Sequence, residues 1–240
     1  MLLPWRTGIV EKFENLTAHT RRFWIRVPEP ESFDYKAGQF VTFDLPIHER
    51  PNKRLRSYSI ANAADGSNSF ELLIVQLPDG AGSKYLFEEI QIGSELKFRG
   101  PQGVFLLHQP IIKPIYFICT GTGVAPFRAM LQEIRQKGLE HHDLHLIFGT
   151  RTQEDLLYRA EFEKMQQEWP SFHYHPVLSR EEWSGKKGYV HEVYEELIAQ
   201  SENKEASFYL CGWKNMIDEA RTKLAALGYD KKDVHFEIYG

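Results

Sequence analysis

The pattern of hydrophobic and polar positions changes near residue 108 of this 240-residue chain. Before that point, short runs of alternating or strand-type residues are separated by Pro, Gly, Asn and Asp, which is typical of strands joined by turns. Closing such a sheet removes its exposed edges, so we expect a six-stranded antiparallel Greek-key β-barrel over residues 1–108. The predicted strands cover residues 7–15, 20–27, 39–45, 56–61, 69–76 and 95–99, and one helix covers 84–90.

After a Pro-containing linker, apolar runs alternate with amphipathic segments, which predicts a five-stranded parallel α/β domain over residues 109–240. Ligands of such sheets bind where the strands end, so the turns that follow the strands are expected to meet at one edge. The predicted strands cover 115–119, 144–149, 172–178, 207–211 and 235–238, and the predicted helices cover 126–137, 154–169, 190–200 and 215–227.

The stretch from Pro114 to Met130 has the pattern of a buried strand, a glycine turn and a helix start. Gly121 and Gly123 allow a sharp turn and the close approach of a ligand, and Pro126 suits the first helical turn. Free N–H groups and the helix dipole favour a phosphate at such a helix start. No Gly-Lys-Ser/Thr follows, which argues against nucleoside triphosphate chemistry. For this stretch alone, a purely structural turn is the alternative.

Composition limits the kinds of partner. The net charge of −4 gives no bulk attraction to nucleic acid or anionic membranes, and no apolar run is long enough to span a bilayer. The two cysteines are too few for a disulfide framework or a four-cysteine metal site, and the ten histidines show no ligand spacing. We expect a cytoplasmic monomer without a metal site, a membrane span or a nucleic-acid partner.

Arg56-Ser-Tyr-Ser59 resembles the flavin signature Arg-x-Tyr-Ser/Thr of the ferredoxin–NADP reductase superfamily. The resemblance implies that Arg56 meets a flavin phosphate, that Tyr58 stacks on the isoalloxazine ring and that Ser59 lies near flavin N5. Gln76 departs from the basic residue that relatives often carry there. This departure leaves FMN open, although FAD is the favoured flavin.

Further matches follow the order of this family, and the resemblance covers residues 7–239. In the N-terminal half they lie at Ala37–Val41, Gly80–Leu86 and Gly100–Gly103. The second of these resembles a phosphate cradle at the start of a short helix, with Ser83 as helix cap and phosphate donor. The flavin-binding residues that the resemblance implies are Arg56, Ser57, Tyr58, Ser59, Gly80, Gly82, Ser83 and, at the C-terminus, Tyr239.

In the second half, Gly121–Arg128 resembles the plant-type form of the family's nucleotide turn. Ser179-Arg180 and Lys187-Gly-Tyr189 resemble the set that holds the extra 2′-phosphate of NADP. NADPH is therefore the favoured nucleotide. Glu181 and Glu182 follow directly and weigh against that preference, so NADH stays open. The implied nucleotide-binding residues are Thr120, Gly121, Thr122, Gly123, Pro126, Arg151, Ser179, Arg180, Lys187, Cys211, Gly212, Met216 and Tyr189, which would stack on adenine.

Cys211–Met216 resembles the family motif beside the nicotinamide, and the chain ends in a sequence similar to the plant-type terminus Glu-x-Tyr. The resemblance implies that Tyr239 stacks on the flavin and yields to nicotinamide, while Glu237 assists proton handling near N5. The plant-type Tyr is the last residue, so Gly240 is a departure that bears on how readily Tyr239 moves. The implied catalytic residues are Ser59, Cys211, Glu237 and Tyr239.

The ordered motifs imply a FAD-dependent oxidoreductase that transfers a hydride between NADPH and flavin and exchanges single electrons with a separate carrier such as ferredoxin or flavodoxin. The alternatives are an NADH-dependent reductase component of an oxygenase system and a non-catalytic electron-transfer or regulatory subunit. An acidic carrier is hypothesised to dock on basic residues of the N-terminal half, although a scattered solvated surface explains them equally well. These residues are Arg21, Arg22, Arg26, Arg50, Lys53 and Arg54.

Overall fold

The computed structural model describes residues 3–29 and 32–239. Contacts divide the chain into two compact units, residues 1–107 with 125–137 and residues 108–124 with 138–240. The helix 125–137 groups with the first unit, whereas the predicted division after residue 108, which stays a prediction, assigns it to the second. Among the helices of the described residues, none is both long and apolar enough to cross a membrane.

The first unit contains a six-stranded antiparallel sheet in the order β4-β3-β6-β1-β2-β5. An antiparallel bridge between Ile60 and Leu72 joins the residue after β4 to β5 and closes the sheet, so the predicted barrel is confirmed. Its helix begins at Ala81 rather than at residue 84, and a further short helix precedes β4. The elements are β1 Arg6–Asn15, β2 Thr20–Arg26, β3 Phe40–Asp44, α1 Pro51–Arg54, β4 Leu55–Ser59, β5 Ser69–Val75, α2 Ala81–Glu88 and β6 Glu95–Gln102.

Aromatic side chains fill the inside of the barrel. Phe70 lies with its ring centroid 5.2 Å from that of Phe33 and 5.5 Å from that of Phe98. All three side chains are almost fully buried. Alternation along β5 and β6 directs Phe70 and Phe98 inward, and Phe33 packs onto them from the segment before β3. The large apolar area that the three rings remove from water stabilises the closed sheet.

The parallel sheet of the second unit has the strand order β10-β9-β8-β7-β11-β12. The predicted class is confirmed with one strand more than expected, because Lys186 and Lys187 pair with β9 at the sheet edge without any apolar signal. The strands are β7 Ile115–Thr120, β8 Leu144–Thr150, β9 Phe172–Leu178, β10 Lys186–Lys187, β11 Ser207–Trp213 and β12 Val234–Tyr239.

Four helices follow the glycine turn, and three match their predicted ranges to within two residues at each end. They are α3 Val124–Lys137, α4 Arg159–Glu168, α5 Val190–Gln200 and α6 Lys214–Ala226. The prediction was wrong about the start of α4, which begins five residues later than expected. Tyr158 has a φ of 58°, in the left-handed region, and this conformation interrupts a right-handed helix at that point.

An ion-pair network in the first unit joins α3 to the barrel. Arg128 of α3 is only 5% exposed, and its Nη1 donates hydrogen bonds of 2.8 Å to both the Ala61 carbonyl and Glu71 Oε2. The same carboxylate pairs with Arg22, whose Nη2 lies 2.6 Å from Oε2. The two guanidinium groups compensate the Glu71 carboxylate for the hydration that it loses on burial. Removing either of them should therefore destabilise the fold.

We expect Arg128→Met to lower the free energy of unfolding by about 2–4 kcal/mol, since it leaves the buried Ala61 carbonyl without this donor and Glu71 with one cation fewer. The measurement is urea unfolding followed by circular dichroism. Arg26→Met is the matched control, because the Arg26–Glu11 pair is exposed and its loss should cost less than about 1 kcal/mol. Equal losses in the two variants would contradict the interpretation.

Histidines of β8 and β9 form a half-buried cluster in the second unit. His145 Nδ1 lies 3.2 Å from His175 Nε2, and the His145 ring stacks on Tyr116 with 4.6 Å between centroids. Burial, and next the positive charge of neighbouring histidines, lower the pKa of both residues to about 4. No group of side chains that could hold a metal ion occurs among residues 3–29 and 32–239.

Acid should therefore destabilise the fold through these two histidines. Their pKa is near 6.5 in the unfolded chain and about 4 when folded, so the unfolded state binds more protons as the pH falls through this window. At pH 5 we expect each histidine to lower the free energy of unfolding by about 1–2 kcal/mol relative to pH 7.5. Urea unfolding at both pH values tests this. The double variant His145→Gln/His175→Gln should lose less stability; an identical loss would refute the assignment.

Candidate functional site

The flavin motif lies on β4, which pairs with β3 along its whole length. Tyr58 packs against Phe43 with 6.0 Å between ring centroids, and the Ser57 hydroxyl lies 2.9 Å from that of Thr42. Burial raises the pKa of Tyr58 to about 12, against a smaller opposing effect of the Arg56 charge. The phenol therefore stays protonated at neutral pH. Ser59 is buried at the end of the strand.

The start of α2 lies directly against Arg56. A β-carbon built on Gly82 would come within 2.8 Å of Arg56 Cγ, so only glycine leaves room for this side chain. Ser83 Oγ donates to the Gly80 carbonyl at 3.0 Å and accepts from Leu77 N at 3.0 Å. The prediction that Ser83 caps the helix was wrong, because Gly80 occupies the cap position and Ser83 lies in the first turn. A guanidinium beside a helix N-terminus suits a phosphate.

At the carboxyl edge of the parallel sheet, the glycine turn meets the end of β11. A β-carbon on Gly123 would lie 2.7 Å from the Cys211 carbonyl carbon, and one on Gly212 would lie 2.5 Å from Thr120 Oγ1 and 3.1 Å from Met216 Cε. Thr120 Oγ1 is buried and has no hydrogen-bond partner within the part of the chain that the structure describes. Such a hydroxyl is suited to a ligand, so these residues fit the predicted nucleotide. Gly121 and Thr122 lie in the same turn, and Pro126 lies in the first turn of α3.

The strand register brings two of the predicted catalytic residues together. Cys211 of β11 is the direct neighbour of Glu237 on β12, and Tyr239 is the neighbour of Trp213. Burial, and next the charge of Glu237, raise the pKa of the Cys211 thiol, while a hydrogen bond to Tyr239 opposes this. Cys211 is therefore a neutral thiol rather than a nucleophile. Gly240, the predicted departure from the family terminus, lies outside the described residues.

The predicted 2′-phosphate set gathers after β8 and β9. Ser179 N donates to the Thr150 carbonyl and Arg180 N donates to the Arg151 carbonyl, both at 3.0 Å. Lys187 lies next to the end of β9, where it is the neighbour of Leu178. The side chain of Tyr189 is 65% exposed. The structure thus brings Arg151, Ser179, Arg180, Lys187 and Tyr189 to one end of the sheet, as the topology of parallel strands requires.

The predicted docking cluster carries less free charge than its sequence suggests. Arg22, Arg26 and Arg54 form ion pairs with acidic side chains of the first unit. Arg21 lies over the rings of Phe13 and Phe87, 4.4 Å from each centroid. Arg50 and Lys53 are exposed on the short helix before β4 and its flank. The docking hypothesis stays a prediction.

Sequence reasoning missed the network around Arg128. Arg128 belongs to the quoted nucleotide motif, but its partner Glu71 is 57 residues away on β5. No local spacing connects the two residues, because their contact depends on where α3 packs in the first unit. The sequence around Glu71 shows only the alternation of a strand, which does not indicate a partner for its carboxylate.

We expect Gly82→Ala to weaken flavin binding by about tenfold or more, because the added β-carbon displaces Arg56 from the helix start. Flavin absorbance per protein is measured after dialysis against a series of flavin concentrations. Lys84→Ala, an exposed change in the same helix, is the control and should keep the flavin. Undiminished flavin affinity in Gly82→Ala would exclude this phosphate cradle.

Comparisons with known proteins identify the families of the two domains. Residues 7–106 match the family model of the oxidoreductase FAD-binding domain, and residues 117–222 match that of the oxidoreductase NAD-binding domain. The chain is 36% identical over 231 residues to ferredoxin–NADP reductase B of Sorangium cellulosum, and the match covers 93% of each chain. A solved ferredoxin NADP+ reductase from Neisseria gonorrhoeae with bound FAD and NADP has a TM-score of 0.82 and 25% identity, with 98% of each chain covered.

A second group of relatives consists of reductase or electron-transfer components of oxygenases. The chain is 34% identical to the anthranilate 1,2-dioxygenase electron transfer component of Acinetobacter baylyi, over 81% of this chain and 55% of that protein. Because the chain spans little more than half of that relative, the activity of the whole relative does not follow from the match.

The two units and their matches define an oxidoreductase with a flavin-binding and a nicotinamide-nucleotide-binding domain. The chain belongs to the ferredoxin–NADP reductase superfamily, and it is a flavoenzyme of that family. The predicted family and enzyme class are thereby confirmed.

Proposed function

We propose that this protein transfers a hydride between NADPH and a bound FAD and exchanges single electrons with a separate carrier such as ferredoxin or flavodoxin. The observation that carries the proposal is the set of Ser179, Arg180 and Lys187 beside the ends of β8 and β9. A 2′-phosphate requires such a combination of hydroxyl, guanidinium and ammonium donors. The 36% identity with ferredoxin–NADP reductase B supports the same conclusion.

In the first unit, Arg56 and the amides at the start of α2 hold the flavin phosphates. Tyr58 supplies a protonated aromatic face for the ring, and the buried Ser59 hydroxyl is positioned for a ring nitrogen. The flavin itself supplies the chemistry that side chains lack, since it takes up electrons in pairs and releases them singly.

In the second unit, the glycine turn and the Thr120 hydroxyl bind the nicotinamide nucleotide. Cys211 contributes a neutral, compact side chain that leaves room for a flat ring, and Glu237 beside it exchanges protons with the site. Tyr239 lies on the same strand, two residues after Glu237. Arg180 and Lys187 then select the nucleotide by its extra phosphate.

The second candidate is an NADH-dependent reductase component of an oxygenase system. Two observations favour it, the 34% identity to the anthranilate dioxygenase component and the ion pair that Lys187 forms with Glu182. An acidic partner offsets the charge that would attract a 2′-phosphate, whereas the ribose hydroxyl of NADH needs no such charge.

Anaerobic titration of the purified flavoprotein with NADPH and, separately, NADH tests the proposal. We expect the visible flavin band to bleach at a concentration of NADPH about tenfold lower than the concentration of NADH that is needed. The flavin released by acid should elute as FAD on chromatography. Oxidised flavodoxin or a plant-type ferredoxin, added next, should restore the band.

The other outcomes discriminate between the candidates. Bleaching at a lower concentration of NADH than of NADPH would favour the second candidate, the reductase component of an oxygenase system. A flavin band that neither nucleotide bleaches would contradict both proposals and leave a non-catalytic subunit. A reduced band that neither carrier restores would contradict the proposed electron acceptors alone.

A further inference from the structure

The two acids that follow Arg180 have different partners in the second unit. Glu181 accepts hydrogen bonds from Gln153 N at 2.7 Å and from Gln153 Nε2 at 2.8 Å, so its carboxylate is committed to the loop after β8. Glu182 instead forms an ion pair with Lys187. Of the two acids, Glu182 is therefore the one that offsets the charge of a predicted phosphate-binding residue.

A tight turn holds this ion pair in place. Trp183 Nε1 donates a 2.7 Å hydrogen bond to the Lys186 carbonyl. The Trp183 ring lies so close to Gly185 that a β-carbon there would be 2.7 Å from Cη2. Because this packing folds the chain back on itself, Glu182 and Lys187 face each other from the two ends of the turn. The fold of the loop therefore places the two side chains next to each other.

We propose that Glu182 is a specificity-determining residue, which competes with the 2′-phosphate of NADP for Lys187. This inference rests on the proposed NADPH site. The side chains of Lys187 and Glu182 are 52% and 82% exposed, and such a pair is weak enough for an incoming dianion to displace. The displaced carboxylate stays nearby and repels the phosphate. A nucleotide without the 2′-phosphate meets no such repulsion. Glu182 therefore lowers the affinity for NADPH but not that for NADH, and so reduces the preference for NADPH.

The neighbouring lysine offers a matched comparison. Lys186 forms a similar exposed ion pair with Glu196 of α5, yet Lys186 is not one of the predicted phosphate-binding residues. Removing either carboxylate changes the net charge of the protein by the same amount. Only the change at residue 182 frees the lysine of the predicted set.

Calorimetric titration of the flavin-loaded protein with 2′,5′-ADP and with 5′-ADP tests the inference without any catalytic step. At low salt we expect Glu182→Gln to bind 2′,5′-ADP about three- to tenfold more tightly than the parent protein, because one repulsive charge is gone. Its affinity for 5′-ADP should stay the same. Glu196→Gln should leave both affinities unchanged, and thermal unfolding checks that both variants are folded.

The outcomes separate this inference from the proposed function. If the parent protein prefers 2′,5′-ADP over 5′-ADP and Glu182→Gln does not strengthen that preference, the role of Glu182 is overturned while the NADPH site stands. Equal tightening in Glu182→Gln and Glu196→Gln would reveal a general charge effect and also overturn it. If neither the parent nor Glu182→Gln prefers 2′,5′-ADP, the NADPH site itself is wrong, and this inference fails with it.

Discussion

The nucleotide end of the second unit depends on a close approach between two backbones. The glycine turn after β7 lies so near the end of β11 that a β-carbon on Gly123 would press against the Cys211 carbonyl. β7 and β11 are neighbours in the sheet although three strands and three α-helices lie between them in the chain. Without side chains at Gly123 and Gly212, the buried Thr120 hydroxyl and the helix start can face a ligand together.

The helix that begins at this turn is fixed to the first unit by directional contacts. Arg128 donates a hydrogen bond to the Ala61 carbonyl. Gln132 Oε1 accepts one from Ala63 N, and Glu133 Oε2 accepts one from Ala37 N, both at 3.1 Å. Arg128 and Gln132 are four positions apart and so share one helix face, whereas Glu133 contacts Ala37 from the adjacent face. Hydrogen bonds define orientation more strictly than apolar packing does, which explains why α3 groups with the barrel.

Charge in this protein is largely matched at short range. Arg22, Arg54, Lys186 and Lys187 each have an acidic partner in their own unit, and the whole chain carries a net charge of −4. Anion recognition therefore cannot rely on an overall attractive field. It must come from local arrangements, namely helix starts, oriented amides and a few cations whose acidic partners are easily displaced.

The sequence by itself determined the order of elements, the closed barrel, the parallel sheet and the motifs that fall on strand ends. These features depend on local alternation and on glycine and proline chemistry, which act over a few residues. Only the tertiary structure decided which residues meet. The contact of Arg56 with Gly82, the pairing of Arg128 with a carboxylate 57 residues away and the choice of Glu182 over Glu181 follow from strand order and loop packing. No local pattern encodes such partners, because each depends on how distant segments fold together.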